Sequence, residues 1–122
     1  MHKRLLENAV KELSKVEGIT KIILFGSVLR EDYREDSDID LALICEDFYH
    51  NLPLDFEGFP FGFKEKITKS LEGIEKGSTI IFDFGIYWNS EYERGIILYG
   101  SGRNPNKLNG KIIYEKNFFN NK

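Results

Sequence analysis

Between Phe25 and Leu41 the chain reads FGSVLREDYREDSDIDL. Phe25 closes a continuous apolar run, Lys21-Ile22-Ile23-Leu24-Phe25, of the kind a central strand covered on both faces requires. Gly26-Ser27 breaks that run. Residues 28–37 are polar and predict a short helical turn. Asp38-Ile39-Asp40-Leu41-Ala42-Leu43-Ile44 then predicts a second strand. Side chains two apart on a strand share a face, so Asp38 and Asp40 go to one side while Ile39, Leu41 and Leu43 supply the core on the other.

Outward from this stretch, Leu5, Leu6, Ala9, Val10, Leu13 and Val16 recur at three- and four-residue spacing. They predict a helix over residues 3–16, capped near Gly18. Residues 46–62 carry Phe48, Tyr49, Phe56, Phe59 and Phe61 among Pro53, Gly58 and Pro60, which predicts a long loop whose aromatics either line a pocket or partner surface or pack over the edge of the core. Phe63, Ile67, Leu71 and Ile74 mark a second helix ending near Gly77. A third strand follows over Ser78–Tyr87. Ser90 and Glu93 stand in capping-box relation at the start of a short helix. GIILY at 95–99 and KIIYE at 111–115 predict two strands of an edge hairpin. Strands alternating with helices give an α/β class, or α+β if the sheet is mixed. The expected organisation is a single domain over residues 1–122, with a core of about 3–99 and a basic tail or hairpin over 100–122.

The chain has 122 residues, 41% of them hydrophobic and 30% charged, enough apolar material for one ordinary core. No apolar run approaches the roughly 20 residues of a membrane span, and the start of the chain does not read as a secretory signal. A single cysteine, Cys45, excludes an internal disulfide framework. A cytoplasmic protein is expected. The formal net charge is −3; residues 100–122 carry +4, which leaves about −7 on residues 1–99. An acidic body of this kind does not suit broad nucleic-acid binding.

Three features carry chemistry. Gly26-Ser27 after a strand is either a simple turn or a loop that lets backbone N–H groups approach a phosphate. Asp38 and Asp40 are either solvated surface acids or a repelling pair that a hard divalent cation such as Mg²⁺ would reconcile. Asp83 sits in an apolar strand among Ile80, Ile81, Phe82, Phe84 and Ile86, where a carboxylate needs a partner, a metal or an edge facing water. Asp36, Asp38 and Asp40 also match the first, third and fifth places of an EF-hand loop. Leu41 stands where that loop needs glycine and Asp47 where it needs glutamate, which excludes it.

With Gly26-Ser27, ten intervening residues, Asp38-x-Asp40 and a later-strand Asp83, the chain resembles the DNA polymerase beta-like nucleotidyltransferase superfamily, and most closely its minimal nucleotidyltransferases (MNT). The resemblance covers roughly residues 3–99. Val28 and Glu31 depart from it, since many members have Arg and Gly there, whereas Arg30 and Arg34 fit. It implies a mixed sheet flanked by helices and transfer of a nucleoside monophosphate from an NTP, with ATP foremost, to a hydroxyl. It assigns two Mg²⁺ ions to Asp38, Asp40 and Asp83, the acceptor proton to Asp83, and the triphosphate to Gly26, Ser27 and Arg30.

The small size points to an acceptor that is itself a protein or is held by one. Minimal nucleotidyltransferases are often antitoxins that transfer AMP onto a tyrosine of a helical HEPN-domain ribonuclease toxin. A small-molecule, antibiotic-type adenylyltransferase and a non-catalytic partner-binding module are the alternatives. His2, His50 and Cys45 do not form a zinc set. Cys45 is expected as a buried filler, and Tyr87 and Trp88 as packing residues or as platforms for a base.

Overall fold

A computed structural model describes residues 2–31, 33–35, 37–47, 53–56, 58–94 and 110–116, without the side chains of Ser27 and Arg94. The element order is α1 (His2–Leu13), β1 (Ile19–Phe25), α2 (Ser27–Arg30), β2 (Ile39–Cys45), α3 (Phe63–Glu75), β3 (Phe82–Trp88), α4 (Asn89–Arg94) and β4 (Lys111–Glu115). The four strands form one mixed sheet in the order β3-β2-β1-β4. β1 runs antiparallel to both β2 and β4, and β2 runs parallel to β3. A parallel pair requires a crossover, and α3 provides it.

Alternation sorts the sheet into two faces. Ile22, Leu24, Ile39, Leu41, Leu43 and Ile86 lie in the larger core, together with Leu5, Ala9 and Leu13 of α1 and Phe63, Ile67 and Leu71 of α3. α1 and α3 also pack on each other, so their apolar stripes close this face. Ile23, Phe25, Ala42, Ile44 and Tyr87 form a smaller core on the opposite face, with Tyr92 of α4 against it. Both faces of the central strands are thus covered, which is why β2 reads as a nearly continuous apolar run.

Several boundaries depart from the sequence-based expectation. α1 stops at Leu13 rather than Val16, because the N–H groups of Lys15 and Val16 bond the carbonyls of Glu12 and Leu13 in a tighter turn. β3 begins at Phe82 rather than Ser78. The Ile80 N–H is taken by the Ser78 hydroxyl at 3.0 Å, a local turn that competes with strand pairing. The expected Ser90–Glu93 capping box is replaced. Glu91 reaches back to accept the Trp88 N–H at 2.9 Å, while the Ser90 hydroxyl donates to Asp47 at 2.9 Å.

KIIYE forms β4 at the sheet edge beside β1. GIILY, its expected hairpin partner, lies outside the described residues, as do Phe48 and Tyr49 of the long loop. Phe59 of that loop is buried against Phe63 and Trp88, whereas Phe56 and Phe61 are exposed. Among the described residues, no helix is long and apolar enough to cross a membrane.

Candidate active site

β1 ends where β2 and β3 begin, and the predicted site residues gather at that end of the sheet. The parallel register makes Asp40 and Asp83 direct cross-strand partners, flanked by Ile39 opposite Phe82 and Leu41 opposite Phe84. Register partners in a parallel pair project to the same face. Asp40 and Asp83 therefore share the face opposite α1 and α3, beyond the rim of the smaller core. Phe25 is the partner of Asp40 on the other side, which brings the end of β1 alongside.

Gly26 follows at once, with φ +84°. A Cβ at Gly26 would overlap the Asp40 carboxylate, lying 2.0 Å from Oδ2. Glycine is thus required here twice, for the left-handed backbone and for the space the carboxylate occupies. α2 opens directly after it and closes its single turn with the Arg30 N–H on the Gly26 carbonyl at 3.2 Å. Arg30 is exposed at the end of that turn, and the Ser27 side chain lies outside the described structure. Glu31 then takes φ +64°, the conformation that favours the glycine many nucleotidyltransferases carry at this place.

Asp38 stands one residue before β2 and is exposed. Asp83 is exposed as well, on the outermost strand of the sheet formed by the described residues. Of the settings the sequence left open for Asp83, the side chain facing water is the one seen, while its strand neighbours Phe82 and Phe84 alternate into the core. The case for a ligand at Asp83 rests instead on its pairing with Asp40. Two carboxylates side by side repel each other, and a divalent cation with oxygen preference removes the conflict. Among the described residues, no three His, Cys, Asp or Glu side chains form a group able to hold a metal ion as they stand. Mg²⁺ is commonly held by one or two carboxylates with substrate phosphates and waters completing the shell, and the Asp40–Asp83 pair fits that donor chemistry.

The aromatic platforms weighed from sequence belong to the packing. Tyr87 is buried with its ring folded over Gly85, where a Cβ would meet the phenol oxygen at 2.7 Å. Trp88 packs edge-on to Phe59, and Gly58 of the loop is tight against its ring. Cys45 is buried, donates to the Tyr87 carbonyl at 3.4 Å, and has its pKa raised by burial and then by Asp47, Glu91 and Glu46. It is a poor nucleophile.

Sequence reading missed His2. It is 4% exposed and its Nε2 lies 2.8 Å from the Ser37 carbonyl, one residue before Asp38. A polar residue at the start of an amphipathic helix carries no sequence signal for such a contact.

The family model described as Polymerase beta, Nucleotidyltransferase matches residues 7–86, a span that includes Gly26, Asp38, Asp40 and Asp83. A Methanocaldococcus jannaschii protein whose name proposes a protein adenylyltransferase is 52% identical over 44 residues, covering 31% of this chain and 44% of that protein. The match therefore spans less than half the length of that curated relative. A Sulfolobus solfataricus crystal structure proposed to be a nucleotidyltransferase superposes with a TM-score of 0.51 at 16% identity, covering 93% of this chain and 79% of the other. At that identity the likeness concerns the fold.

Proposed function

The chain belongs to the polymerase beta nucleotidyltransferase family, and we propose that it moves AMP from ATP to a hydroxyl group in a Mg²⁺-dependent reaction, with a protein as acceptor. The observation that carries this reading is the register pairing of Asp40 with Asp83 beside Gly26. A surface scaffold gains nothing from two adjacent like charges on neighbouring strands.

Asp38, Asp40 and Asp83 would hold two Mg²⁺ ions, with triphosphate oxygens and waters as the remaining ligands. When bound, the ions neutralise the triphosphate and stabilise the entering and leaving oxygens of an in-line displacement. Gly26 leaves room for the Asp40 carboxylate and lets the triphosphate approach the backbone, with Ser27 and Arg30 at the terminal phosphates. Asp83 accepts the proton of the attacking hydroxyl. That oxygen forms a bond to the α-phosphorus as the α–β bridging P–O bond breaks, and pyrophosphate leaves.

The name of the Methanocaldococcus jannaschii relative favours a protein acceptor. In its narrower form the reading makes this chain an antitoxin that adenylylates a tyrosine of a HEPN-domain ribonuclease. The resemblance of residues 25–41 to minimal nucleotidyltransferases supports it.

The test combines the protein with Mg²⁺, ATP labelled at the α-phosphate and a purified HEPN-domain protein as partner. The expected product is that partner carrying one adenylyl group on tyrosine. Asp40→Asn and Asp83→Asn should stay folded and lose roughly 100-fold or more of the transfer rate. Unchanged transfer in either variant removes the carboxylate assignment. Label appearing only on small hydroxylated molecules moves the reading to an antibiotic-type adenylyltransferase.

A further inference from the structure

Asp38 lies outside the strand, on an exposed stretch with Arg34 and Glu35, yet its backbone is held on both sides. The Ser37 carbonyl belongs to the peptide preceding the Asp38 Cα and accepts from His2 Nε2 at 2.8 Å. The Ile39 N–H belongs to the following peptide and donates to the Ile81 carbonyl at 3.0 Å. With both flanking peptide planes tied, φ and ψ of Asp38 are restrained, and so is the direction of its Cα–Cβ bond, from which the carboxylate hangs.

The two ties differ in origin. The Ile39–Ile81 bond extends the β2–β3 pairing, whereas the His2–Ser37 bond reaches across from α1. A carbonyl only accepts, so the His2 Nε2 carries the proton. The His2 ring is buried and packs on Tyr33 with centroids 4.5 Å apart, which limits its freedom to turn away. Ser37 also closes a small turn: its hydroxyl accepts the Arg34 N–H at 2.8 Å and its N–H donates to the Arg34 carbonyl at 3.1 Å. The His2 contact thus docks a preformed turn onto the first helix.

We propose that His2 is a positioning residue: its hydrogen bond to the Ser37 carbonyl aims the Asp38 carboxylate toward the cation site shared with Asp40. The proposal rests on the reading of Asp38 as a cation-binding residue. A side chain that orients a ligand through the backbone acts on affinity as ligand-orienting hydrogen bonds do elsewhere.

The test measures Mn²⁺ affinity of the full chain by electron paramagnetic resonance of the free ion, alongside thermal melting. His2→Phe keeps a ring against Tyr33 and removes the donor. His2→Gln places an amide N–H near the Nε2 position, whereas the shorter His2→Asn cannot reach. His2→Phe and His2→Asn should weaken Mn²⁺ binding roughly tenfold, and His2→Gln should recover most of the loss. In an Asp38→Asn background, His2→Phe should cost no further affinity, since the group it aims is no longer a charged ligand. His2→Asn provides the measurement if His2→Phe melts early. Equal affinity in parent and donor-less variants overturns the proposal, as does an undiminished loss in the Asp38→Asn background. A parent protein that binds no Mn²⁺ at all is a different result: it removes the cation site itself, and this inference with it.

Discussion

Cys45 is buried among carboxylates, and the physical consequence is a pH dependence of stability. Burial and the nearby Asp47, Glu91 and Glu46 raise its pKa above the ordinary 9.0, so the fold favours the protonated thiol. That contribution is fully present below pH 9 and is lost as pH rises, because the unfolded chain releases the proton first. Above that pH the parent should lose stability faster than Cys45→Ala, by up to about 1.4 kcal/mol per pH unit, in denaturant titrations of the pair. Glu31 presents a backbone case. Its left-handed φ of +64° costs about 1–2 kcal/mol, and glycine returns about 0.5–1 kcal/mol of that in chain entropy. Glu31→Gly should therefore stabilise the protein by about 0.5–1 kcal/mol in the same assay. The departure from the nucleotidyltransferase pattern at this position is visible in the sequence, whereas its strain is visible only in the backbone.

At the scale of elements, α4 holds the end of the sheet away from the acids, and its anchorage is tertiary. Glu91 is 1% exposed and accepts the Trp88 N–H, Ser90 is tied to Asp47 across the chain, and Tyr92 covers the smaller core. Glu91→Ala should cost about 1 kcal/mol of stability by chemical denaturation, since it strips the half-buried Trp88 N–H of its acceptor. Ser90→Ala leaves no buried N–H without its acceptor and should cost less. The sequence carries the spacing of both Glu91 and Glu93, and nothing local says which one turns inward. The same limit applies to β3. Its apolar letters predict a strand from Ser78, but the Ser78 hydroxyl captures the Ile80 N–H and delays the pairing until Phe82, whose N–H bonds Glu75 at 2.6 Å.

For the whole molecule, ligand binding to the folded state must raise its melting temperature. ATP with Mg²⁺ at 100 times its dissociation constant should stabilise the parent by about 2.7 kcal/mol, read as a shift of several degrees. Asp40→Asn should abolish that shift. A parent that shows no shift is a binding module that keeps the fold without the chemistry.

By itself, the sequence determined the strand–turn–strand reading of residues 25–41, the helices at either side, the α/β class and the three acids worth watching. Each rests on periodicity and on residue chemistry, which act over a few positions along the chain. Tertiary structure alone decided that Asp40 faces Asp83, that β4 lies beside β1, that Asp83 looks to water, and that His2 grips the turn before Asp38. Those are matters of register and of packing between segments far apart in the chain. Local preference does not encode them, because only the joint burial of both sheet faces selects which strands lie side by side and in what alignment.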